Sequence, residues 1–139
     1  MNPEELLKRH KLRKTSGRLT VLQSFLNSGK ALSHSDLQEL NSGKTDRVTL
    51  YRILESFEKH GILHKVPDDQ VSVKYALCSH LHHEIDHTHS DNHPHFKCQS
   101  CGDTLCLEES DIPDIQVPKG FKVTERFLLL GGLCGKCAA

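Results

Sequence analysis

Apolar residues recur every three or four positions in three stretches of the first 60 residues, and beyond them the spacing tightens to strand-like runs. Leu19, Leu22 and Leu26, with Val21 and Phe25 beside them, follow a helical period from Gly17 until Asn27-Ser28-Gly29 stops it. Ahead of it, Glu4 to His10 predicts a short leading helix with Leu6 and Leu7 inward. Lys11-Leu12-Arg13-Lys14 then reads as a basic connector, open between a solvated charge run and a phosphate contact. Ser33 fits the N-cap of a second long element through Leu37 and Leu40, closed by Asn41-Ser42-Gly43. A third helix should start at Thr45 or Asp46 and end at Lys59 before Gly61. On it Val48, Tyr51, Leu54 and Phe57 are expected to face inward, and Thr45, Thr49, Arg52, Ser56 and Lys59 outward.

Ile62–Val66 and Val71–Leu77 read as strands joined by the turn Pro67-Asp68-Asp69. A hairpin directly after a third helix makes a winged helix-turn-helix. A helix that presents hydroxyls and Arg can approach a groove and bond phosphates or base edges. The plain alternative at this point is a helical bundle with a polar surface. Residues 79–94 are poor in apolar side chains and dense in His, Asp and Glu, a loop pattern. Strand candidates follow at His95–Cys98, Thr104–Leu107 and Phe121–Leu130, with a Pro-bounded connector from Ile112 to Pro118. The expected class is α+β: a winged helix-turn-helix over residues 1–78, then a small α+β domain over 79–139 that begins with the His-rich loop.

Charge divides the chain near the same place. Residues 1–66 carry 12 Lys and Arg against 7 Asp and Glu, a net of +5; residues 67–139 carry 6 against 11, a net of −5. The overall zero hides a basic half suited to a polyanion and an acidic half rich in metal ligands. No long apolar run suggests a signal peptide or a membrane span, so the expected setting is the cytoplasm, where thiols stay reduced.

All six cysteines and seven of the eleven histidines lie between Cys78 and Cys137. Cys98-x-x-Cys101-Gly102 and Cys134-Gly135-Lys136-Cys137 are two hooks, in each of which a tight loop lets two thiolates reach one ion and a glycine is at hand for a positive φ. Together they make a closed tetrahedral Cys₄ zinc site. The 32 residues between them exceed the usual zinc-ribbon spacing, so the chain must build something and return. The alternative is a pair of disulfides or redox-active dithiols.

Taken together, these residues resemble the ferric uptake regulator family of metal-responsive repressors across nearly the whole chain. The resemblance rests on Thr15-x-x-Arg18, on Val48-Thr49-Leu50-Tyr51-Arg52, on His93-x-His95-x-x-Cys98-x-x-Cys101-Gly102 and on Gly132-x-Cys134-x-x-Cys137. It implies a homodimer on double-stranded operator DNA, with a regulatory metal closing the hinge between an N-terminal winged helix and a C-terminal dimerisation domain. It also implies DNA-facing positions at Arg18, Tyr51 and Arg52, beside the outward Thr49.

For the regulatory ion the candidate ligands are His64, Cys78, His93, His95 and Cys106. His93 and His95 point to one face of an extended chain and can share an ion. His64-Lys65-Val66 followed by Tyr75-Ala76-Leu77-Cys78 resembles the zinc-uptake branch, in which such His and Cys positions are sensor ligands. Cys106 falls where the family usually has a carboxylate ligand. Thiolate with imidazole favours zinc over the His and carboxylate sets suited to ferrous iron or manganese. An iron- or manganese-responsive regulator is the alternative within the family, and small buried apolar roles are the alternative for Cys78 and Cys106.

Where the family often has further ligand histidines this chain has Arg126 and Ala31, and His34 is shifted from the latter, so no secondary site is expected there. His80, His82, His83, His87 and His89 suggest weak or no ordered binding. Two readings of other classes fall short. His82-His83-Glu84 before a Cys-x-x-Cys looks superficially like a zinc deaminase. However, Lys97 stands where that signature has Pro, and a second Cys-x-x-Cys would fill the position catalysis needs open. A zinc buffer built on the His-rich loop leaves the winged helix without a role.

Overall fold

The computed structural model describes residues 2–66, 73–77, 93–107, 110–124 and 126–139. Its helices come first: α1 (Pro3–Arg9), α2 (Ser16–Ser28), α3 (His34–Leu40) and α4 (Arg47–Lys59). Each opens on a side chain that accepts from an otherwise orphaned N–H: Asn2 from Glu5, Thr15 from Arg18, Ser33 from Asp36 and Asp46 from Thr49. Gly61, at φ 75°, turns the chain out of α4, and the Ile62 N–H reaches back to the Phe57 carbonyl at 2.9 Å. That bond closes the helix end as the glycine in the sequence led one to expect.

The buried face of α4 is Leu50, Ile53, Leu54 and Phe57; Leu54 and Phe57 are as read from the sequence, while Leu50 and Ile53 take the places expected for Val48 and Tyr51. Val48 and Tyr51 are 57% and 60% exposed. Two apolar stripes compete on this helix. Residues 50, 53, 54 and 57 follow the i, i+3, i+4, i+7 spacing of one face, and that wider stripe packs on Val21, Leu22 and Phe25 of α2 and on Leu6 and Leu7 of α1. The losing stripe turns Val48 and Tyr51 outward beside Thr49 and Arg52.

Strands β1 (Leu32–Ser33), β2 (Leu63–Val66) and β3 (Lys74–Leu77) form an antiparallel sheet in the order β1-β3-β2. Leu63 faces Leu77, His64 faces Ala76 and Leu32 faces Tyr75. β1 has no sequence signal of its own, because two residues are too short for alternation to register. Ser33 both ends it and caps α3.

Strands β4 (His95–Cys98), β5 (Thr104–Cys106) and β6 (Leu129–Gly132) form a second sheet, in the order β5-β4-β6, with β5 antiparallel and β6 parallel to β4. Among the described residues no helix follows Lys59. The strand expected over Phe121–Leu130 is displaced. Pairing begins only at His95 with Leu129 and ends at Cys98 with Gly132, and residues 121–124 and 126–128 have no strand neighbour among the described residues. Phe121, Val123 and Phe127 are consequently 67%, 53% and 66% exposed. The two sheets meet where the Ala31 N–H donates to the Thr104 carbonyl at 3.1 Å, and where Cys106 packs against Ala31, Val66 and Ala76.

Candidate metal centres and nucleic-acid face

Two groups of ligand atoms are assembled from these strands. The first draws on both sheets. Antiparallel pairing sets Cys106 of β5 directly across from His95 of β4, so their side chains leave the sheet together. A bond from the Leu107 N–H to the Pro94 carbonyl, 2.8 Å, extends the ladder and keeps His93 in line two residues earlier. His64 arrives from β2. His64, His93 and His95 are 4%, 7% and 3% exposed, and their nitrogens and the Cys106 sulfur all lie within 4.8 Å of one another. His64 Nε2 stands 3.4 Å from His95 Nε2 and 3.7 Å from Cys106 Sγ. The His64 and His93 rings meet edge to face at 5.0 Å and 89°.

Those separations can be tested against coordination geometry. A tetrahedron with Zn–N bonds of about 2.05 Å and Zn–S of about 2.3 Å has N–N edges of roughly 3.3 Å and N–S edges of roughly 3.6 Å. Three buried imidazoles at this distance cannot all be protonated without like-charge repulsion, and a cation held between them would satisfy all their inward nitrogens at once. The group holds three nitrogens and one sulfur, a set that fits zinc or another thiophilic ion better than a hard cation. Cys78, His80, His82, His83, His87 and His89 lie outside the described residues.

The second group joins the hooks. Cys98, Cys101, Cys134 and Cys137 hold their sulfurs within the same 4.8 Å span, with Cys98 buried and Cys101 exposed. Cys101 Sγ and Cys134 Sγ are 3.9 Å apart. A tetrahedral zinc thiolate edge is roughly 3.8 Å and a disulfide bond about 2.05 Å, so the spacing is that of a metal site. Gly102, at φ 78°, turns the first hook and donates back to the Cys98 carbonyl at 3.0 Å. Gly135 adopts no such φ, so the second hook does not depend on its glycine in that way. Gly132 does a different job. A Cβ there would stand 3.2 Å from Phe96 Cζ, so any other residue would need that ring to shift by a few tenths of an ångström.

The hook backbones lower two of the thiols, Cys98 and Cys134, while the neighbouring sulfurs raise the other two, Cys101 and Cys137. The Cys101 and Cys134 N–H groups aim at Cys98 Sγ from 3.5 and 3.4 Å and draw its thiol down to about 6. Cys101 receives the Asp103 N–H, yet its sulfur neighbours, Cys98 first, push it up to about 12. The Cys137 N–H lowers Cys134, and Cys134 in turn raises Cys137. Four thiolates at these distances need a cation to coexist. At neutral pH Cys98 is then already ionised while Cys101 still carries its proton, so loading a metal must expel protons. Falling pH protonates Cys98 as well. Zinc held by the hooks should therefore be retained less well as pH falls, which competition with a chelator at a series of pH values would read; retention independent of pH would contradict ligation by thiolates.

Val48, Thr49, Tyr51 and Arg52 share the solvent side of α4. Arg18 is half-buried at the start of α2, its guanidinium donating to the Arg13 carbonyl at 2.7 Å and so fixing the basic connector. Lys14 of that connector pairs with Glu4 at 2.6 Å. Ala31 is buried, Arg126 is paired with Asp114, and His34 Nε2 lies 3.1 Å from the Arg47 carbonyl, so none of the three positions joins either group. Sequence reasoning missed the links that flank the first group: Lys30 to Asp103 and Lys74 to the Gly102 carbonyl, each at 2.8 Å. They join residues 73 and 28 positions apart, and no local pattern announces such a contact.

A model of the ferric uptake regulator family matches residues 9–128. The ferric uptake regulation protein of Bordetella parapertussis is 28% identical over 145 residues, covering 99% of this chain and 97% of its own length. Among solved structures, a zinc uptake regulator complexed with zinc and DNA is 25% identical, with a TM-score of 0.65 over 97% of this chain and 89% of its own. A zinc-bound manganese uptake regulator matches at a TM-score of 0.64 and 17% identity, covering 96% and 99%, a likeness of fold alone.

Proposed function

The chain belongs to the ferric uptake regulator family, whose members are metal-responsive DNA-binding regulators rather than enzymes, and from that premise we propose that it is a zinc-sensing repressor acting as a homodimer on operator DNA. The observation that carries the choice of metal is the convergence of His64, His93, His95 and Cys106 within 4.8 Å, with His64 3.4 Å from His95 and 3.7 Å from Cys106, close to the edges of a zinc tetrahedron. Iron and manganese are the alternatives, and the Bordetella relative is named for iron. The thiolate, and the lack of a carboxylate in the group among the described residues, argue for zinc. Cys98, Cys101, Cys134 and Cys137 would hold a second, structural Zn²⁺. Cys78 remains a candidate ligand beside the four.

In this reading residues 1–78 are the DNA-binding domain and 79–139 the dimerisation domain, in keeping with the two separate sheets. Exposed Phe121, Val123 and Phe127 alternate along a segment without a strand partner among the described residues, and a second copy would cover them. No helix among the described residues is long and apolar enough to cross a membrane, in keeping with work in the cytoplasm.

Metal analysis of the purified protein, with operator titrations under zinc, iron and manganese, tests the assignment. Zinc alone should raise operator affinity at buffered concentrations where iron and manganese do not. An equal response to iron would move the protein to the iron-responsive branch. Arg52→Ala should weaken operator binding roughly tenfold, with zinc content and dimer mass unchanged. Unchanged affinity would remove Arg52 from the DNA face.

A further inference from the structure

The turn that supplies the first two cysteines also grips the winged helix. Three consecutive residues after Cys101 each make one contact across the domain boundary. The Gly102 carbonyl accepts from Lys74 Nζ at 2.8 Å, Asp103 Oδ1 accepts from Lys30 Nζ at 2.8 Å, and the Thr104 carbonyl accepts from the Ala31 N–H at 3.1 Å. Lys30 and Ala31 lead into β1, and Lys74 opens β3, so the contacts hold the sheet whose strand β2 follows α4. On its other side the same turn presents Cys98 and Cys101 to the sulfur group. Its shape is fixed from within by the Cys98 N–H to the Asp103 carbonyl at 2.9 Å and by the Gly102 N–H to the Cys98 carbonyl at 3.0 Å.

We propose that residues 98–104 are a second clamp on the winged helix, so that the Cys₄ site sets domain orientation as well as holding its own fold. The proposal rests on the reading of the four cysteines as a zinc site and of the chain as a DNA-binding regulator. An ion at the first group ties His64 to the far sheet. The clamp ties Lys30, Ala31 and Lys74 to that sheet independently, through a loop whose backbone the Cys₄ ion would keep rigid. Zinc at the four cysteines would add to the two bonds within the turn in holding Gly102, Asp103 and Thr104 in line as acceptors.

Lys30→Asp and Asp103→Lys, singly and together, test it at saturating zinc. Lys30 could also touch a DNA phosphate, and the pair separates the two roles. A clamp predicts that each single variant weakens operator binding roughly three- to fivefold, the scale of one exposed ion pair, and that the charge swap recovers most of the loss. A phosphate contact predicts that the swap stays as weak as Lys30→Asp, which would overturn the proposal. A dye pair introduced as non-natural residues at exposed Glu39 and Lys119 reads the distance between the two parts without DNA. The distribution should broaden in each single variant and narrow in the swap. Unchanged distributions in the singles, at wild-type zinc content, would equally overturn the clamp. Should the wild type show no zinc-dependent DNA binding, the functional reading fails while the distance measurement still judges the clamp.

Discussion

Cys101→Ser should release one zinc per chain, unfold the strands that carry the hooks and leave the protein monomeric. The structural reason is how little else holds that end of the molecule. β4, β5 and β6 are three or four residues long, and among the described residues after Lys59 no helix covers them. The larger apolar core belongs to the helices and the first sheet, while the second sheet contributes to the smaller cluster chiefly through Cys106. Three strands of this length bury too little to fold alone. A structural zinc contributes roughly 10–16 kcal/mol of apparent binding free energy, against a total stability of about 5–15 kcal/mol for an ordinary domain. Serine offers a poor ligand to zinc, and it leaves three thiolates crowded without full compensation. Zinc stoichiometry, sedimentation mass and amide exchange across residues 93–107 and 126–139 would read the outcome. A dimeric, fully protected variant that has lost this zinc would show that packing, not the ion, holds the domain.

Much of this was legible in the sequence, and the parts that were not have identifiable causes. Helix starts were readable because caps are local chemistry: Ser33 and Asp46 do what their types and positions suggest. The hooks were readable because a two-residue spacer fixes how two thiolates can meet one ion. The pair His93 and His95 follows from the extended-chain period alone. The inner face of α4 was misread because two apolar stripes fit the same period, and only packing against α2 chose between them. The strand over Phe121–Leu130 was overextended because β-pattern reports a preference for a pleated, half-covered surface, and half of that surface has no strand partner among the described residues. The meeting of His64 and Cys106, 42 positions apart, depends on how two sheets dock. No periodicity encodes that. Here the sequence supplied the ligand types and the resemblance supplied the pairing.

On the proposed reading, the docking of those sheets makes His64 the residue on which the switch would turn. It is the ligand candidate that the first sheet contributes among the described residues, while His93, His95 and Cys106 belong to the second or its approach. His64→Ala should therefore leave three ligands on one side of the hinge. Zinc can still bind there, more weakly, but with equal affinity whether the winged helix is docked or swung away. A ligand with no preference between two states shifts neither. In the wild type, zinc and operator DNA should strengthen each other by one common factor, within the usual range of roughly 5–150-fold for coupled sites. In His64→Ala that factor should fall to about one, with the Cys₄ zinc, the helix content and the dimer retained. The measurement is a pair of titrations, operator binding against free zinc and zinc binding against operator, each for wild type and variant. Reciprocity makes the two titrations check each other, because a loss of DNA affinity from mere misfolding would not move both by the same amount. If zinc raises operator affinity in His64→Ala as much as in the wild type, His64 is a buried structural histidine. The ion then acts within the second sheet alone, and the orientation of the winged helix must be set by something else, of which the turn at Gly102–Thr104 is the nearest candidate.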